Sequence, residues 1–191
     1  MTTPPGLPCH FQQAEEGGSG DWLPEAPIKH YTNAFVLQGD KILLGLKRRG
    51  LGIHKSACLC STNVGGKVEP HEAVREAALR ELQEEAGITA PLEPAGTLLF
   101  VVPGEKWAHI DIFRAEEYSG TITPSEEMLP EWFNKANIPY EKMWDTDRYW
   151  LPLLLAKTPF AVRADFDRQD AETYVVRRWW VGVDLDSQTK E

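Results

Sequence analysis

The chain is poor in the features that would hold it together from outside a core. It has three cysteines in 191 residues. That number is odd and too small for a disulfide framework, so free thiols in a reducing compartment are expected. Positive charge is scarce: 20 Lys and Arg stand against 29 Asp and Glu, a formal net charge of −9. Such a surface repels phosphate backbones, which argues against a binder of nucleic-acid polymers. No apolar run approaches the ~18 residues of a membrane span. The longest, around 151–156, is broken by Pro152, so no membrane partner is expected. The first residues lack a basic stretch followed by an apolar one, and they are poor in arginine. The expected address is therefore cytoplasmic, with the nucleus open to a chain of this size.

What is present is enough for a core. Hydrophobic residues make up 42% and charged residues 26%, near the globular average. Residues 1–29 collect five prolines and three consecutive or near-consecutive glycines, and the expectation is a disordered tail. The domain is expected over 30–183, with 184–191 a polar tail. Strands are predicted near 31–37, 42–46, 97–102, 109–115, 131–133, 160–166 and 173–181, and helices near 70–86 and 147–157. The elements do not alternate in a βαβα rhythm, so the class is α+β with a mixed sheet.

The first of these helices carries the chemistry. Projected at ~100° per residue, its apolar arc runs through Ala77, Val74, Ala78, Leu82, Ala86 and Leu79. Glu81 and Glu85 fall inside that arc, and Glu84 lies on its flank. Carboxylates on a buried face are costly unless something pairs with them, and three together repel one another. A hard divalent cation resolves both penalties, since Mg²⁺ and Mn²⁺ take oxygen ligands. The bland alternative is a solvated acidic face with Arg80 paired to Glu84.

The surrounding residues decide between these two readings. Gly66, Glu72, Arg80, Glu81, Leu82, Glu84, Glu85, Gly87 and Ile88 fit G-x5-E-x7-R-E-U-x-E-E-x-G-U, with U aliphatic, at every fixed position. The stretch resembles the Nudix box. That resemblance implies a mixed β-sheet sandwiched between helices and Mg²⁺-dependent hydrolysis of a nucleoside diphosphate linked to another group, with Mn²⁺ an alternative metal. It implies that Glu81, Glu84 and Glu85 bind the metal or activate water, with Glu81 or Glu85 the base. Glu72 and Arg80 brace the box, and Gly66 lets the loop approach the metal.

Residues from Tyr31 to about Lys157 are further similar to the MutT-type oxidised purine nucleoside triphosphatases. The similarity is carried by 42–50, 126–130, 138–144 and 147–155. It implies that Trp144 stacks on the purine, Asp147 reads the base edge and Phe100 lines the base pocket. It also implies that Lys47 and Thr32 meet the nucleotide, Asn63 contacts the base and Glu127 lies near the metal. The expected activity converts an 8-oxo-dGTP-type substrate to its monophosphate and pyrophosphate, sanitising the nucleotide pool. The expected partner is that small molecule, and the protein is expected to act as a monomer. Two alternatives stand beside this: a Nudix hydrolase for another modified nucleotide, such as 2-hydroxy-dATP, a methylated purine triphosphate or a nucleotide sugar, and a nucleotide-binding module with weak catalysis.

Three departures bear on the base. Thr146 stands where the subfamily has the first of two adjacent aspartates. Residues 53–64 are longer than the matching loop. Leu51, Ala108 and Asn33 replace other pocket-side residues, which predicts a wider pocket with a more polar edge. His54, Cys58 and Cys60 in the longer loop are one ligand short of a zinc site and read as ordinary loop.

Overall fold

A computed structural model describes residues 3–47, 61–62, 64–170 and 173–184. In chain order the strands are β1 (Gln12–Gly18), β2 (Ile28–Gln38), β3 (Lys41–Lys47), β4 (Ser61–Thr62) and β5 (Val64–Lys67). Helix α1 (Val74–Ala86) follows, then β6 (Ile88–Thr89), β7 (Glu93–Val101), β8 (Trp107–Ala115), β9 (Ser119–Gly120) and β10 (Met128–Asn134). Helix α2 (Asp147–Leu155), β11 (Phe160–Arg168) and β12 (Tyr174–Val183) complete the order. The chain falls into two units. One comprises Met1–His30, Ala95–Ile110 and Asp145–Glu191, the other Tyr31–Pro94 and Asp111–Trp144. Among the described residues no helix is long and apolar enough to cross a membrane.

The unit that begins at Tyr31 contains the acidic helix. β3 lies between β2 and β10, antiparallel to both. β5 pairs with the earlier stretch of β2, in the register Thr32↔Gly66 and Asn33↔Gly65. Ala34, Phe35, Val36 and Leu37 are all buried, as expected for a strand covered on both faces. α1 presents Ala78, Leu82 and Ala86 to a core that includes Ala34, Val36, Leu43, Val64 and Phe113. The helix begins at Val74, later than Pro70 predicts. Residues 69–72 instead form a turn, closed by Glu72 N–H to Glu69 O at 3.2 Å, with His71 at φ 70°. Glu76 reaches back to accept the Ala73 N–H at 3.2 Å, half of a capping box. The helix ends as predicted: Gly87, at φ 73°, donates its N–H to Gln83 O, a left-handed cap.

The other unit corrects the expected disordered tail. Residues 12–18 form β1, which adds to the antiparallel pair β11–β12. β7 joins the far side of β11 in parallel, which makes the sheet mixed. α2 packs Trp150 against Phe160 with ring centroids 5.3 Å apart. Its Pro152 is tolerated in a helix of nine residues that ends at Leu155, two residues before Lys157 at φ 58°.

The N-terminal segment is fastened by a buried ion pair, Arg163–Asp165, both fully buried. Arg163 Nε and Nη2 donate to the Asp165 carboxylate at 2.8 and 3.1 Å. The remaining donors reach Pro5 O at 2.7 Å and Leu23 O at 2.8 Å, while Leu23 N–H donates to Asp165 at 2.6 Å. Removing one partner of a satisfied buried pair typically costs about 3–5 kcal/mol. The expected C-terminal tail, 184–191, lies outside the described residues beyond Asp184.

At Gly87 a side chain faces both a left-handed backbone and a Cβ placed 3.0 Å from Thr121 O. Gly87→Ala should lower unfolding free energy by about 1–2 kcal/mol, read as a lower urea midpoint at unchanged slope.

Candidate active site

α1 sorts its three glutamates by environment. Glu85 is 5% exposed and accepts the Gly65 N–H at 2.8 Å. The side chain of Glu81 is 14% exposed and that of Glu84 is 60% exposed. The projection therefore places Glu85 correctly on the buried face and Glu84 on the flank. Gly65 and Gly66 come to this helix on β5, and each leaves room that a side chain would fill. A Cβ on Gly66 would fall on the Glu81 carboxylate, and one on Gly65 would collide with Thr32 O and Asn33.

Arg80 ties the group together. Nε and Nη2 donate to the two oxygens of Glu72 at 2.9 and 3.1 Å. Nη1 donates to Glu81 Oε1 at 2.8 Å and to Glu84 Oε2 at 3.2 Å. Nη2 also reaches Lys67 O at 3.1 Å. The guanidinium is held protonated far above its ordinary range, chiefly by the Glu72 hydrogen bond and then by Glu81. Glu72 is in turn held below its ordinary value, first by Arg80 and then by its bond with the Glu69 backbone.

The donor set suits a hard divalent cation. Arg80 occupies one oxygen each of Glu81 and Glu84, and Gly66 keeps the space beside Glu81 clear of side chain. The oxygens of the three glutamates are not gathered within 4.8 Å of one another. Glu127 is exposed, with its N–H donating to Ser125 Oγ at 3.3 Å. It stands one residue before the Met128↔Lys47 pair of β10 and β3. Lys47 ends β3, and its side chain lies outside the described residues, as does Asn63. Thr32 is fully buried, and its Oγ1 has no hydrogen-bond partner. Trp144, half-buried, follows a 3₁₀ turn at Tyr140–Lys142.

The other unit carries Phe100, Thr146 and Asp147. Asp147 is 4% exposed and accepts Trp150 Nε1–H at 3.1 Å. Thr146 is buried and Asp145 exposed. Thr146 is the N-cap of α2, yet its hydroxyl makes no capping bond and its Oγ1 has no hydrogen-bond partner. Phe100 meets Phe166 edge-on, with centroids 5.3 Å apart at 72°. Sequence reasoning passed over Phe166; the only signal was its apolar place at the end of a predicted strand. The His54, Cys58 and Cys60 loop lies outside the described residues.

A carboxylate held below its ordinary 4.5 adds stability that is fully present above that value and is lost as pH falls through the lowered folded value. Glu72→Gln should therefore destabilise the metal-free protein at pH 7. The gap from wild type should close below pH 4.5, followed by denaturant melts across pH in chelator.

A family model for the NUDIX domain matches residues 30–154. The chain is 39% identical over 142 residues to the oxidized purine nucleoside triphosphate hydrolase of Mus musculus, across 73% of this chain and 88% of that protein. It is 39% identical over 144 residues to the protein of the same name from Danio rerio, across 74% and 89%. The fold resembles the crystal structure of the mutator MutT protein from Bacillus halodurans, with TM-score 0.66 and 24% identity over 80% of this chain and 97% of that one. The braced glutamates of α1, the α+β fold with its mixed sheet and these matches agree: the chain belongs to the NUDIX family of hydrolases.

Proposed function

We propose that this hydrolase converts oxidised purine nucleoside triphosphates of the 8-oxo-dGTP type to monophosphate and pyrophosphate. The observation that carries the reaction is the braced carboxylate set of Glu72, Arg80, Glu81, Glu84 and Glu85. The substrate reading is supported by relatives that are named for this activity and aligned over most of their length.

Hydrolases of this family typically use a divalent metal, and we propose Mg²⁺, with Mn²⁺ able to replace it. Glu81, Glu84 and Glu85 would hold it, where it neutralises polyphosphate charge and lowers the pKa of bound water. Glu81 or Glu85 takes the proton from the attacking water. Gly65 N–H fixes Glu85 in place, and Arg80 fixes Glu81. Phosphoryl chemistry demands little beyond such positioning and charge neutralisation. With a net charge of −9, a bound cation would offset local repulsion of the polyphosphate.

On the base side, Trp144 offers a stacking face, a contact worth ~1–3 kcal/mol and tolerant of base identity. Discrimination falls to Asp147 and Thr146. A carboxylate pair sharing one proton supplies a donor and an acceptor; a threonine hydroxyl supplies either. Thr146 is the observation favouring a second reading, in which the preferred base is another modified purine such as that of 2-hydroxy-dATP.

Glu85→Gln keeps an acceptor for Gly65 and removes the charge. Turnover should fall about 10²–10⁴-fold with unchanged circular dichroism and melting, and wild-type-like activity would end the proposal. An equimolar mixture of 8-oxo-dGTP, 2-hydroxy-dATP and dGTP with Mg²⁺, resolved chromatographically, separates the two substrate readings. Thr146→Val should leave stability equal or higher, because it removes an unsatisfied buried hydroxyl. The same change should raise KM about fivefold to tenfold for the preferred base. Kinetics and melts on one preparation check both signs.

A further inference from the structure

We propose that residues 3–29 act as a positioning strap for the aromatic pair Phe100–Phe166; this rests on the reading of Phe100 as a base-pocket residue. The strap lies outside residues 30–154, the span matched by the family model, as do Arg163, Asp165 and Phe166, which connect it to the pair.

β7 and β11 run in parallel with Arg163↔Leu99, Ala164↔Phe100 and Asp165↔Val101 in register. Side chains alternate along strands, so Leu99, Val101, Arg163 and Asp165 share one face. Phe100 and Phe166 meet on the other. The strap covers the first face. Leu7, Leu23 and Ala26 pack on Leu99, Val101 and Trp107, while Pro5 O and both backbone groups of Leu23 engage the Arg163–Asp165 pair. Aromatic and cationic planes alternate through the contact. Arg178 lies 4.3 Å from the Trp22 ring, Arg163 lies 4.9 Å from Trp22, and Arg163 lies 4.8 Å from Trp107. Gly6, at φ +81°, presses its backbone so close that a Cβ would stand 2.6 Å from Trp107 and 2.7 Å from Leu99.

The strap grips Asp165, the neighbour of Phe166 along β11. Opposite this step β12 carries an extra residue, Arg177, since Asp165 pairs with Arg178 and Phe166 with Val176, and Ser19 of the strap donates its N–H to Arg177 O at 3.1 Å. A bulge locally bends and twists its strand, so the strap holds both the residue before Phe166 and the irregularity across from it. Phe166 is 1% exposed and Phe100 half-buried, so Phe166 backs the ring that the substrate would meet. Phe166 and the strap residues are positioning residues; none is placed on the reacting atoms.

The test is steady-state kinetics of the full chain on 8-oxo-dGTP with Mg²⁺. Trp22→Ala removes the plate between two guanidiniums and should raise KM about tenfold, or 1.4 kcal/mol, with kcat within about twofold. The carboxylates of α1 are left intact by this change. A strap that only stabilised the fold would lower the active fraction, reducing kcat at constant KM. Trp22→Phe keeps a ring and should return KM to within about threefold of wild type. If Trp22→Ala does not fold, Arg178→Gln takes its place and should raise KM about threefold. An unchanged KM in the folded variant, or a fall in kcat alone, overturns the strap while leaving the substrate reading standing. Wild-type protein that neither binds nor hydrolyses the nucleotide defeats the substrate reading and the strap with it.

Discussion

Arg80 stands at the centre of four acidic or carbonyl partners, and the acidic helix depends on it. Its planar fork meets Glu72 on two oxygens, then Glu81, Glu84 and the Lys67 carbonyl. A lysine could not do this, because an ammonium offers no planar pair of donors. Without the guanidinium, three glutamates within five residues of one helix would face one another without a shared cationic partner. With it, two of the three each keep an oxygen away from arginine, while the turn before α1 is tied to the helix that follows. Gly66 completes the arrangement by having nothing to place beside Glu81.

The parts of the molecule that local sequence made legible are those held by local forces. The acidic face of α1 could be read because its burial pattern follows from helical geometry, and Glu85 is buried as the projection requires. Gly87 ends the helix because left-handed caps have few alternatives. The N-terminal segment was misread for the opposite reason. Its prolines and glycines match disorder in any short window. What orders it is a set of contacts to residues about 140–160 positions away, Pro5 and Leu23 to Arg163 and Gly20 to Arg178. No composition count contains that information. The start of α1 was set too early because Pro70 suits a first helical turn, but His71 in the left-handed region closes a separate turn first.

The candidate site was legible unevenly for the same reason. Glu72, Arg80, Glu81, Glu84 and Glu85 lie within fourteen residues, and their spacing alone gives their grouping. Phe166 is absent from any such motif; it gains meaning only where a parallel strand pair sets it against Phe100. Thr146 shows the value of coordinates over substitution tables. Read as a replaced aspartate it is a loss, but the structure gives it a buried hydroxyl that is withheld from helix capping.

One backbone pairing has a geometric consequence. Thr32, buried in the sheet, faces Gly66 across the β2–β5 ladder, and Gly66 is the residue against the Glu81 carboxylate. Neighbouring strands are about 4.7–4.9 Å apart whatever side chains they carry. The offset from Thr32 to Gly66, the residue that abuts the Glu81 carboxylate, is thus graduated by the sheet itself, like marks on a ruler. Core substitutions leave it unchanged, and a one-residue slip of β5 would reset it by a whole division while turning each side chain of β5 to the opposite face.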